Sequence, residues 1–213
     1  MGIENPMEPE TEINLPRRYY YDFEFIEDGT TIELISIGIV AEDGRELYLV
    51  NQGIEWTKTR GDLYDRICGH NWLMANVVPQ LPVKRVTQPG HPNVHPRTPG
   101  GFDLDTSDNR VVPLRFIRNA VRDFLLRPNE GVELWGYFSA YDHVALAQLF
   151  GTMTDLPPGI PMWTNDVQQF AYAAGLDNSL PPPVGKAHNA LDDARWTKTA
   201  WEYLDRHAKA STP

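Results

Sequence analysis

Tyr21-Asp22-Phe23-Glu24-Phe25 is the stretch from which the fold can be read. Residues two apart on a strand share a face. Asp22 and Glu24 therefore project together, and Tyr21, Phe23 and Phe25 project to the opposite side. Two carboxylates that close repel, and burial sharpens the repulsion. A divalent cation held between them would remove that cost. The plainer alternative is an edge strand with a polar face, although Asp is disfavoured in strands.

Around this stretch the pattern is that of a meander. Arg17 to Ile26 is predicted as the first strand, and Glu27-Asp28-Gly29 as a turn. The β-branched, apolar run Thr31 to Val40 is expected to be a central strand, and Glu46 to Val50 a third, after the turn Glu42-Asp43-Gly44. Leu63, Ile67, Leu73 and Val77 predict a helix over 61–78 with Trp72 out of phase, closed by Pro79. Residues 82–111 are rich in Pro, Gly, His and Asn without a period, and are expected to be a long loop. A helix is expected from Pro113, with Leu114, Ile117, Val121, Phe124 and Leu125 inward. Then come a buried strand at Val132 to Phe138 and helices at 140–150, 165–174 and 189–207. This order predicts an α/β fold, a mixed sheet of a three-strand antiparallel meander plus parallel strands flanked by α-helices.

The chain has 213 residues, enough for one such domain, and 41% hydrophobic residues, enough for its core. Residues 1–16, with four glutamates and no period, are expected to be a disordered acidic leader. The domain is expected over 17–208, with an insertion at about 82–112 and a tail at 209–213. Cys68 is the only cysteine, so no intrachain disulfide can form, which suits a reducing cytoplasm. No apolar run is long enough to span a bilayer, so no membrane partner is expected. The net charge of −10 is unusual for a nucleic-acid binder, but it is unevenly spread. Residues 83–127 hold eight Lys or Arg against four acids, a local balance of +4. Within them Arg115, Arg118 and Arg122 form one helical stripe, either a solvated face or a phosphate-contacting edge.

Two later acids stand at helix starts. Asp142 follows the strand at 132–138, and Asp193 lies in His188-Asn189-Ala190-Leu191-Asp192-Asp193. Taken singly, each reads as an acid favoured by the helix dipole, and His188 as a loop histidine. Together with the strand pair they read as an oxygen-rich cluster suited to Mg²⁺ or Mn²⁺ rather than Zn²⁺. Two such ions about 4 Å apart can hold the attacking and leaving oxygens of a phosphodiester. An imidazole, which titrates near neutral pH, suits a base that deprotonates water.

Asp22-Phe23-Glu24, Tyr141-Asp142 and the His-x4-Asp run from His188 to Asp193 resemble, in order, the three motifs of the DnaQ-like DEDDh 3′–5′ exonuclease family in the ribonuclease H-like superfamily. More narrowly, YYDFEFIEDGTTIELISIGIVAEDGRE, ELWGYFSAYDHVAL and the run at His188–Ala194 resemble the small mycobacterial 3′–5′ exoribonuclease type, over most of residues 18–205. The resemblance implies roles. Asp22, Glu24, Asp142 and Asp193 would hold two Mg²⁺ or Mn²⁺ ions, and His188 would be the general base. The terminal nucleotide of a single-stranded RNA or 3′ overhang would meet the backbone at Phe23–Phe25, with its base near Phe25 or Tyr141. The product would be a nucleoside 5′-monophosphate. Relatives are often homodimers. Two departures bear on substrate choice: Ser36 stands where many members have Glu, and Tyr137-Phe138-Ser139 stands where many have a His-Asn pair. A DNA exonuclease and a non-catalytic RNA- or nucleotide-binding module are the alternatives.

Overall fold

The computed structural model describes residues 17–55, 62–87, 101–183 and 185–210. The expected leader, residues 211–213 of the tail expected at 209–213, and the centre of the 82–112 insertion lie outside these residues, while 209 and 210 close the last helix.

The meander forms where the turns predict it. β1 (Arg17–Glu27), β2 (Ile32–Ala41) and β3 (Glu46–Asn51) pair antiparallel in sequence order. β1 then pairs parallel with a strand from the second half of the chain, Val132–Gly136, and this strand pairs parallel with Asn165–Asp166. At the other edge Val111–Val112 runs parallel to β3. With a separate hairpin of Val83–Thr87 and Gly101–Leu104, the strands in chain order are β4 (Val83–Thr87), β5 (Gly101–Leu104), β6 (Val111–Val112), β7 (Val132–Gly136) and β8 (Asn165–Asp166). The main sheet has the order β6-β3-β2-β1-β7-β8. This is the expected mixed sheet.

Alternation along β1 sorts its side chains into two cores. Tyr19, Tyr21 and Phe23 pack with Ile37 and Ile39 of β2 against two helices, α3 (Leu114–Leu125) and α4 (Ala140–Gln148). Tyr20 faces the opposite side, with α5 (Val167–Ala173) and α6 (Ala190–Ala210). Trp196, Ala200, Trp201 and Leu204 are the buried stripe of α6. Asp22 and Glu24 lie on that second face, beyond Tyr20.

Two expectations are corrected. The helix over 61–78 is two helices, α1 (Asp62–Gly69) and α2 (Asn71–Asn76). Gly69 weakens the join, and His70 turns extended so that its Nδ1 accepts the Leu73 N–H at 3.3 Å. Trp72 was out of phase because α2 starts a new register. The segment 82–111 is not wholly loop either. Its apolar residues are sparse, but Phe102 and Leu104 of β5 are buried, and Phe102 packs on Tyr64 at 5.0 Å. Pairing partners 14 or more residues apart leave no local period to read. A smaller shift occurs at 165–174, where Asp166 ends β8 and caps α5 by accepting the N–H groups of Gln168 and Gln169.

Candidate active site

The site forms where four separate segments meet at β1. Asp22 pairs across the sheet with Gly38, and Glu24 with Ser36. A bulge between Glu24 and Phe25 breaks the register at the end of the acidic pair and re-aims the strand there. Glu24 is buried at 8% exposure.

Asp142 comes from the first turn of α4. Its Oδ1 accepts the Phe23 N–H at 2.8 Å, which locks this carboxylate against the acidic strand. The start of α4 is itself braced by Asp166. One oxygen of Asp166 accepts both the Ser139 N–H (2.8 Å) and the Ser139 hydroxyl (3.1 Å), and the other caps α5. The close turn depends on Gly136, where a Cβ would lie 2.5 Å from that of Ser139. Phe138, between them, is left-handed (φ 52°) and exposed.

Asp193 comes from the first turn of α6, and its Oδ2 accepts the His188 N–H at 2.9 Å. Ligand atoms of Glu24, His188 and Asp193 lie within 4.8 Å of one another. Asn189 fastens this corner, donating to Tyr48 Oη (3.4 Å) and the Gln80 carbonyl (3.3 Å), while its Oδ1 accepts the Asp192 N–H. α6 can approach the sheet because residue 38 is glycine. A Cβ there would lie 2.2 Å from the Ala190 carbonyl oxygen.

The electrostatics are those of buried acids set against one another. Burial, then the Asp142, Glu24 and Asp193 carboxylates, hold Asp22 well above the usual range. Burial, then Asp193 and Asp142, push Glu24 up to about 8. Burial pushes Asp142 up to about 7, against the hydrogen bond from Phe23. Burial also raises Asp193, against the His188 N–H. Such a set suits a hard divalent cation with oxygen ligands, because a bound cation reverses the sign of the local field. Beside it a cavity of about 500 Å³ opens, lined by Asp22, Tyr137, His188, Asp193, Trp196 and neighbours.

The predicted substrate residues divide. Phe25 and Tyr141 meet edge to face with centroids 6.1 Å apart, and Tyr141 is exposed. The Phe23 side chain is in the core, and its N–H is taken by Asp142, so it has no free donor for a nucleotide. Arg115, Arg118 and Arg122 are exposed on α3, which packs on the sheet face opposite α6. The structure does not bring them to the acids. Arg122 pairs with its neighbour Asp123, and Arg115 lies over the Phe116 ring. Periodicity gives their shared stripe but not which side of the sheet it flanks. Gly38, Asn189 and Asp166 were missed. An isolated glycine inside a strand pattern is a signal of close backbone approach, and it was available for Gly38.

Residues 105–204 match a family model described as the 3′–5′ exoribonuclease Rv2179c-like domain. The chain is 39% identical over 179 residues to the 3′–5′ exoribonuclease Rv2179c of Mycobacterium tuberculosis strain H37Rv, covering 84% of this chain and 87% of that one. Its counterpart MT2234.1 from strain CDC 1551 matches to the same extent. Among solved structures, S. pombe Pop2p in a Mg²⁺- and Mn²⁺-bound form superposes with a TM-score of 0.47 at 12% identity, covering 92% of this chain and 86% of that one. By its likeness to the mycobacterial proteins over most of its length, the chain belongs to the Rv2179c-like 3′–5′ exoribonuclease family.

Proposed function

We propose that this chain is a metal-dependent 3′–5′ exoribonuclease that releases nucleoside 5′-monophosphates from single-stranded RNA ends or 3′ overhangs. The observation that carries the reading is the convergence of Asp22, Glu24, Asp142 and Asp193 with His188 from distant parts of the sequence. Family membership supports the RNA substrate. Two Mg²⁺ or Mn²⁺ ions held by the four carboxylates would stabilise charge on the phosphodiester oxygens and acidify the attacking water.

The chain's own groups do the rest. His188 takes a proton from the water that attacks the terminal phosphorus and passes it to solvent. The new P–O bond forms as the bond to the 3′-oxygen of the preceding nucleotide breaks, and that oxygen leaves as a hydroxyl after protonation from solvent. Asp193 fixes the His188 backbone. The Phe23 N–H fixes Asp142. The Phe25–Tyr141 pair offers the terminal base an aromatic edge, a contact that reads little sequence. Arg115, Arg118 and Arg122 stand across the sheet from the acids and have no part in the scissile step, and they remain available to RNA crossing the α3 face.

Digestion of matched RNA and DNA 3′-overhang substrates, labelled at either end, tests the proposal. With Mn²⁺, single nucleotides are expected from the RNA 3′ end, and none with EDTA. Asp22→Ala abolishes hydrolysis, and His188→Ala slows it by at least about 100-fold. Cleavage that survives EDTA, or a clear preference for DNA, refutes it.

A further inference from the structure

We infer that Trp72 is a positioning residue for His188, its indole holding the imidazole toward the acids. This rests on the assignment of His188 as the general base.

His188 stands on an irregular segment ahead of α6. Its backbone is left-handed, with φ at 63°, a region non-glycine residues seldom adopt. A strained conformation of this kind persists where the surroundings over-determine it. Asp193 supplies one restraint, through the His188 N–H. That bond fixes the main chain and leaves the ring free to choose among its rotamers. The second restraint is on the ring itself. The Trp72 indole meets the imidazole edge to face, with centroids 4.7 Å apart and planes at 72°.

Among the described residues the Trp72 ring has no other aromatic or hydrogen-bond partner. It is 48% exposed, whereas the next residue, Leu73, is buried and supplies the core contact of α2 with Val77 and Val78. The segment that carries it is tied to the histidine segment by a hydrogen bond. His70 caps α2, and Asn189, the residue after His188, donates to the Gln80 carbonyl just beyond α2. The indole and the imidazole are therefore held by two segments already fastened together. An aromatic pair of this geometry biases a rotamer population by up to about tenfold. A base that must meet a water in one position loses rate as that population falls.

Steady-state kinetics on single-stranded RNA with Mn²⁺, together with the His188 ring-proton resonance of the metal-free protein, test the inference. Trp72→Ala is expected to lower kcat roughly tenfold with KM little changed and to move the His188 resonance out of the indole ring current. Trp72→Phe is expected to recover most of kcat. In a His188→Ala background, Trp72→Ala should cost nothing further. An unchanged kcat in Trp72→Ala overturns the inference. So does a raised KM alone, which would make Trp72 a platform for a nucleobase. Should His188→Ala itself leave kcat unaltered, the base assignment fails, and a resonance that still moves in Trp72→Ala would show that the contact was real but without catalytic purpose.

Discussion

Gly38→Ala would press directly on the contact that assembles the site. The added Cβ would lie 2.2 Å from the Ala190 carbonyl oxygen, 2.3 Å from its carbon and 2.4 Å from the Leu191 nitrogen, all backbone atoms that no rotamer change can clear. Ordinary contact begins near 3.4 Å, so the start of α6 must retreat by about 1 Å. Asp193 and His188 flank Ala190 and would move with it, whereas Asp22, paired with Gly38, would stay. A displacement of about 1 Å at a catalytic group costs on the order of 100-fold in rate. Overpacking at such a site costs about 1–3 kcal/mol, which for a domain of this size lowers Tm by roughly 2–12 °C. The assay is RNA hydrolysis with Mn²⁺ well below the variant's Tm, with circular dichroism to follow unfolding. A Gly38→Ala protein within twofold of wild-type activity would refute the reasoning, because the acids and His188 would then not depend on this approach of α6.

Two further outcomes follow from the same geometry. Glu24 is raised from 4.5 to about 8, so in the folded, metal-free protein it resists ionisation and the unfolded chain holds fewer protons. The contribution of Glu24 to the stability of the metal-free form is then fully present below about pH 4.5 and is lost as pH rises to about 8. At 1.36 kcal/mol per unit, Glu24 alone accounts for about 3 kcal/mol at pH 7 as an upper figure, since neighbouring acids share the protons. Glu24→Gln should flatten the thermal-denaturation profile and raise Tm at pH 8, and should shrink the stabilisation that Mn²⁺ gives the wild type; a wild-type Tm that climbs from pH 5 to 8 without metal would contradict this. Asp166→Ala should cost roughly 2–4 kcal/mol in denaturant unfolding, since it strands the Ser139 donors and removes the α5 cap, and it should slow hydrolysis at least about tenfold by loosening Asp142; unchanged kinetics would remove Asp166 from the support of the site.

The three motifs and the meander were legible because their signals are local. Side-chain alternation puts Asp22 and Glu24 on one face whatever packs there, and Asp-Gly turns mark the strand boundaries. Asp142 and Asp193 were visible as helix-start acids that suit one cluster with the strand pair, but what brings them there is the packing of α4 and α6 against the sheet. What tertiary structure alone decided depends on partners far apart in the chain. The β4–β5 hairpin, with its few apolar residues, shows no period until it pairs. The Phe23 N–H could be assigned to Asp142 rather than to a substrate only once α4 was seen against β1. The arginine stripe of α3 could be set apart from the acids only once the sheet stood between α3 and α6. Sequence specifies which groups share a face of one element, because backbone geometry repeats along a segment. How close two elements come is set by packing between them, and here it is the missing Cβ of Gly38 that admits α6 to the sheet.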